Sequence, residues 1–116
     1  MSYALPDVAK TAERLQAEIE QAVRQWPRFH KFSHGARLRD QIALVVQLAN
    51  RAWRDQPNRM EWTERLVFAV DDLKSALQVG KQIQAFKSFE QFEMLARQTD
   101  YRADHRPLSI LYGVSP

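Results

Sequence analysis

The stretch VAKTAERLQAEIEQAVRQW, residues 8–26, decides the fold class. Its apolar residues fall at Val8, Ala12, Leu15, Ile19, Ala22 and Trp26, at intervals of four, three, four, three and four, which places them on one stripe of a helix. The spacing predicts a helix over 6–26, ended by Pro27, whose ring cannot continue it.

Downstream the pattern recurs. Residues 27–34 (PRFHKFSH) mix aromatic and basic side chains without helical period and read as a connecting loop, with Ser33 as N-cap of the next helix. That second helix is expected over 34–55, with a stripe at Leu38, Ile42, Val45, Ala49 and Ala52 and further apolar residues at Leu44, Val46, Leu48 and Trp53. A helix so widely apolar is either central or covered by a second protein surface, and Leu44, Val46, Leu48 and Trp53 are the expected oligomer interface. Gln56-Pro57 ends it, and Asn58, three residues before Glu61, offers a cap for a third helix over 59–86. The third stripe is Trp62, Leu66, Val70, Leu73, Leu77, Gly80 and Gln84, with Ile83 beside it. Gly80 is either a point of close approach or a surface glycine. Ser88 and Gln91 form a capping box for a short fourth helix over 88–99 carrying Phe89, Phe92, Leu95 and Ala96. Residues 100–116 lose the period and form an irregular, strand-capable tail.

The 116 residues suffice for one domain with one core, so 1–116 is read as a single all-α, antiparallel up-down four-helix bundle. The 45% apolar and 27% charged shares are those of a globular chain, and three glycines with five prolines leave little punctuation for an all-β fold. The absence of cysteine excludes disulfides, thiol catalysis and cysteine-ligated metal. No secretory leader pattern and no window of about 18 consecutive apolar residues is found, so a cytoplasmic protein without membrane contact is expected. Twelve Arg and five Lys against fourteen acids give +3, a mild pointer to an anionic partner, because the guanidinium fork matches phosphate and carboxylate.

Residues able to carry catalysis are few. Ser33, Ser75, Ser88, Ser109 and Ser115 could meet His30, His34 or His105, but none lies in a nucleophile elbow or glycine-rich turn, and Ser33 and Ser88 are accounted for as caps. His30 and His34 are four apart, yet no carboxylate follows at metalloprotease spacing and the segment reads as loop. Glu18, Glu20, Asp71 and Asp72 lack the recurring Glu-x-x-His of di-metal bundles and read as solvated faces, with Asp71 placed to pair with Lys74. No catalytic residue, metal ligand, cofactor or small-molecule substrate is therefore expected.

One constellation stands out. Residues 21–39 carry Arg24, Arg28, Lys31, Arg37 and Arg39 with His30 and His34, no acid at all, and Trp26, Phe29 and Phe32 between them. Cations beside aromatic planes are what a protein uses to hold RNA, the former on phosphates and the latter on bases. The competing account has the aromatics plugging an open end of the bundle while the arginines solvate it.

The runs WPRFHKFSHGARLRDQ (26–41), VDDLKSALQVGKQIQAF (70–86) and KSFEQFEMLA (87–96) resemble the four-helix bundle family typified by Avd, the accessory variability determinant of diversity-generating retroelements. Its relatives include proteins encoded by intervening sequences in large-subunit ribosomal RNA genes. The matching positions are Trp26, Pro27 and Arg28; Phe32, Ser33 and Gly35; Leu73, Lys74, Leu77 and Lys81; and Ser88, Phe92 and Glu93. The resemblance covers residues 10–97 and departs at TDYRADHRPLSILYGVSP (99–116), where the family continues the last helix into a glycine- and tryptophan-rich ending. It implies a homopentameric bundle that binds RNA and a reverse transcriptase through basic surfaces. Arg24, Arg28, Lys31, Arg37 and Arg39 are then the expected nucleic-acid contacts, with Lys74 and Lys81 secondary. The alternative is a structural or protein–protein oligomer with no nucleic-acid role.

Overall fold

In the computed structural model, which describes residues 4–99, every regular element is helical. Helix α1 spans Ala4–Arg24, a one-turn α2 spans Arg28–Lys31, α3 spans His34–Arg54, α4 spans Arg59–Gln82 and α5 spans Phe89–Thr99, with a short 3-10 turn at Gln56–Asn58 between α3 and α4. The tail expected over 100–116, with His105, Ser109 and Ser115, lies outside the described residues.

The stripe of residues 8–26 is buried throughout, from Val8 to Trp26. Leu38, Ile42, Val45, Ala49 and Ala52 of α3 and Leu66, Val70, Leu73 and Leu77 of α4 are buried as well, and almost all of these join one apolar cluster, to which α5 adds Phe92 and Leu95. Helix α3 packs extensively on both α1 and α4. That central position accounts for its wide apolar circumference and corrects one expectation. Leu48 is a core residue, and Val46 and Trp53 pack half-buried against the core, so Leu44 alone of the four presents a largely open side chain. A residue facing two neighbouring helices needs no second protein to cover it.

Polar pairs tie the helices along their lengths. Arg39 Nε meets Glu20 Oε1 at 2.6 Å, Asn50 Nδ2 donates to Glu13 at 3.4 Å, and both link α1 to α3. Gln41 Nε2 donates to the Ala69 carbonyl of α4 at 3.0 Å, and Gln98 Nε2 of α5 donates to Glu18 of α1 at 2.6 Å.

The helix ends depart from the sequence reading in instructive ways. The expected loop at 27–34 contains α2, which Pro27 opens from the N-cap position, its carbonyl accepting from the His30 and Lys31 N–H groups. Ser33 does not cap α3 with its side chain. Its hydroxyl turns back to the Phe29 and His30 carbonyls, both at 3.3 Å, and so closes the end of α2. Ser88 does cap as expected, accepting the Gln91 N–H at 3.1 Å, while the Gln91 side chain accepts from Lys87 N–H at 3.1 Å. Helix α4 stops at Gln82 rather than Phe86, since Gln84 adopts a left-handed backbone (φ 57°) that ends the helix and sends Ala85 and Phe86 back over the core.

Asn58 likewise makes no side-chain cap bond. The carboxylate of Asp55 organises this turn instead, accepting from Trp62 Nε1 at 2.8 Å and Asn58 Nδ2 at 3.0 Å. The Trp62 and Asn58 side-chain hydrogen bonds, with the Asn58 backbone N–H and the Arg51 charge adding to them, hold the Asp55 carboxyl below its ordinary range. A depressed folded-state value means that the stabilisation is present above the unfolded-state value and lost as pH falls through the folded one. Acid unfolding followed by circular dichroism should therefore steepen below about pH 4. Asp55→Asn should be less stable than wild type at neutral pH and flatter in that acid window; identical profiles would remove Asp55 from the account.

Both described glycines mark close approach. A Cβ at Gly35 would stand 2.8 Å from Val23 Cγ1 and 3.3 Å from Trp26 Cε3, and one at Gly80 would stand 2.7 Å from Phe86 Cε2 and 3.0 Å from the Trp26 ring. Val23 is buried and stiff about χ1, so it cannot yield cheaply. Overpacking costs about 1–3 kcal/mol, more than the ~1 kcal/mol by which Ala exceeds Gly as a helix former. Gly35→Ala is accordingly expected to lower the thermal midpoint by roughly 4 °C, read by scanning calorimetry; an unchanged or raised midpoint would show that the site relaxes.

Candidate nucleic-acid interface

The basic residues of 21–39 are distributed over three elements by the chain reversal at Pro27. Arg24 ends α1, Arg28 and Lys31 belong to α2, and Arg37 and Arg39 lie in the first turns of α3. The reversal brings Arg24, Lys31 and Arg39 to one cleft of about 180 Å³, lined also by Val23 and Glu20. Arg28 and Arg37 are exposed. Among the described residues none of Arg24, Arg28, Lys31 and Arg37 is paired with a carboxylate, so their charge stands toward solvent.

The sequence run of 21–39 holds no acid, yet the fold supplies one. Glu20 lies one residue before the run and pairs with Arg39 at 2.6 Å. Both side chains are close to half exposed, a geometry in which an ion pair contributes well under about 1 kcal/mol. Arg39 thus stays at the cleft wall within reach of an anion.

The three aromatics of the run separate into two roles. Trp26 is 3% exposed and meets Phe86 edge-on, with ring centroids 5.1 Å apart. It is part of the core and unavailable to a partner, as the plugging account has it. Phe29 and Phe32 are the opposite, 85% and 71% exposed. Phe29 makes an edge contact with His30 at 5.1 Å, and His30 in turn lies 6.5 Å from His34. The two histidines come from α2 and α3, and among the described residues no group of three or more His, Asp or Glu is disposed to hold a metal ion.

Lys74 and Lys81 sit on α4 and do not line this cleft. Lys74 is engaged by other residues, and Lys81 Nζ lies 5.1 Å over the Phe92 ring. They are not gathered into the site by any contact described for them.

A second basic and aromatic grouping escapes the sequence reading. At the α3–α4 turn the guanidiniums of Arg51 and Arg65 cover Trp62 at 5.4 and 5.2 Å, and Arg54 covers Trp53 at 5.0 Å. Part of the signal is present in the letters, because Trp62 and Arg65 are three apart on α4. Arg51, however, reaches Trp62 across two helices, and periodicity within one helix does not report such pairs. Arg65 is also bound to Glu61 at 3.0 Å, so this grouping serves the turn and its indoles.

No helix among the described residues is long and apolar enough to cross a membrane. Compared with protein-family models, with curated proteins and with solved structures, the chain has no match.

Proposed function

We propose that the protein is a non-catalytic nucleic-acid-binding protein that holds RNA phosphates on Arg24, Arg28, Lys31, Arg37 and Arg39. The observation that carries this reading is the convergence of Arg24, Lys31 and Arg39 on one cleft, with Arg28 on α2 and Arg37 on α3 exposed and, among the described residues, paired with no carboxylate. Arg24, Arg28 and Arg37, which pair with no carboxylate among the described residues, keep their planar donors for phosphate oxygens. The resemblance to the Avd-typified family extends the proposal to a cytoplasmic accessory subunit that binds a reverse transcriptase and its template RNA. In that reading α1, α3, α4 and α5 are the four helices of an up-down bundle, with α2 as a one-turn insert. The links of Glu20 to Arg39 and Glu13 to Asn50 support an antiparallel α1 and α3, since the residue numbers rise on one helix as they fall on the other.

Binding through phosphates makes affinity fall steeply with salt. A titration of structured RNA at several salt concentrations should give a negative slope of log K against log salt. Arg28→Glu with Arg37→Glu should weaken binding by ~10-fold or more and shallow the slope by about one contact per removed charge. Weak binding without salt dependence, unchanged in the double variant, would sink the proposal.

A second reading, a homo-oligomer working through protein contacts, is favoured by a different observation. Phe68 and Met60 on α4 are each 66% exposed and Leu44 on α3 is 40% exposed, apolar area that a solitary bundle leaves wet. Light scattering of wild type and Phe68→Glu separates the cases: a multimer, pentameric if the family habit holds, should dissociate in the variant, whereas a wild-type monomer defeats this reading. Leu48 is unsuited to the test because a charge in the core would unfold the chain.

A further inference from the structure

Helix α2 has no buried residue, and the phenylalanines in and just after it are the most exposed large apolar side chains among the described residues, Phe29 at 85% and Phe32 at 71%. Neither ring packs against the core cluster. Their placement is imposed by the chain: Pro27 turns the backbone away after Trp26, and the Ser33 hydroxyl bonds to the Phe29 and His30 carbonyls fix the far end of the turn. The rings are thus held on a short constrained segment that in the sequence lies between Arg24 on one side and Arg37 and Arg39 on the other, and that includes Arg28 and Lys31.

We infer that Phe29 and Phe32 are stacking platforms for unpaired bases, so that the site selects single-stranded over duplex nucleic acid. The inference rests on the phosphate-binding reading above and adds the class of ligand to it. Each base offers a π-face to a phenyl ring whatever its sequence, but only where it is free of its helical neighbours. A duplex shows this surface phosphates alone and leaves both rings in water. Charge selects the occupant further. A second copy of this chain docking through the same tip would set cation against cation, and an apolar protein surface would leave the cluster of arginines without counter-charge. A single strand supplies both complements at once, phosphates for the guanidiniums and bases for the rings.

The test compares a labelled single strand with a blunt duplex of two complementary strands of equal total phosphate count, by fluorescence anisotropy at several salt concentrations. Wild type, Phe29→Leu with Phe32→Leu, Phe29→Tyr with Phe32→Tyr, and Arg28→Glu with Arg37→Glu are measured in parallel. Wild type is expected to favour the single strand by roughly tenfold or more, as stacking on aromatic side chains does. The leucine variant keeps the apolar character and removes the plane, so it should lose that preference with its salt slope unchanged. The tyrosine variant should retain it, which also shows that the tip tolerates substitution. Equal wild-type affinity for strand and duplex, still abolished by the arginine variant, overturns the stacking inference while leaving phosphate binding in place. Absence of binding to either form overturns both. Binding to anionic phospholipid vesicles that depends on the rings, without preference for the single strand, also overturns the inference and assigns the tip to a membrane surface.

Discussion

The constraint on which the rest depends is the seat of the Trp26 indole. It lies against two glycines, with Gly35 of α3 beside Cε3 and Gly80 of α4 beside Cη2 and Cζ2, and Phe86 closes over its edge at 5.1 Å. One side chain just beyond α1 thereby fixes where α3 begins, how close α4 comes and where the chain after α4 returns. The exposed tip exists because of this anchor. With Trp26 held inside, Pro27 must lead the chain outward, and Arg28, Phe29 and Phe32 are displayed while His30 and Lys31 stay half-buried.

This seat also explains which parts of the molecule are legible in the sequence. The stripes of α1, α3 and α4 are, since a period near 3.6 reports burial directly and nearly every stripe residue is buried. The role of Trp26 is readable in two ways, because the last position of a stripe and a member of an aromatic and basic run are the same letter. Only the glycines that accept the indole separate these, and they lie 9 and 54 positions away in the chain. Gly80 by itself fits a surface position as well as a close contact. Periodicity cannot tell the middle helix of a bundle from one covered by a partner, which is why the pattern points Leu48 outward while the fold turns it inward.

Helix ends are the least legible elements, for a related reason. Capping residues are chosen by which orphan donors or acceptors lie nearest, and two competing ends make that choice three-dimensional. Ser33 stands between α2 and α3 and serves the carbonyls of the first rather than the N–H groups of the second. Asn58 stands beside a carboxylate and donates to Asp55 instead of accepting from its own helix. Ser88 faces no rival and caps as its sequence indicates. The end of α4 is set by neither, but by Gln84 entering the left-handed region so that Phe86 can reach Trp26.

The candidate site shows the same division between what a run of letters states and what the fold makes of it. A run of 19 residues without an acid promises an unopposed positive surface, and the fold sets Glu20 among its cations. That carboxylate does not cancel the site. It meets Arg39 at the cleft wall, where solvent screening keeps the attraction small, and among the described residues leaves Arg24 and Lys31 on the same cleft without a paired carboxylate. On the phosphate-binding proposal the cleft and the tip would divide the labour by chemistry, the cations of the cleft taking phosphates and the two exposed rings taking bases.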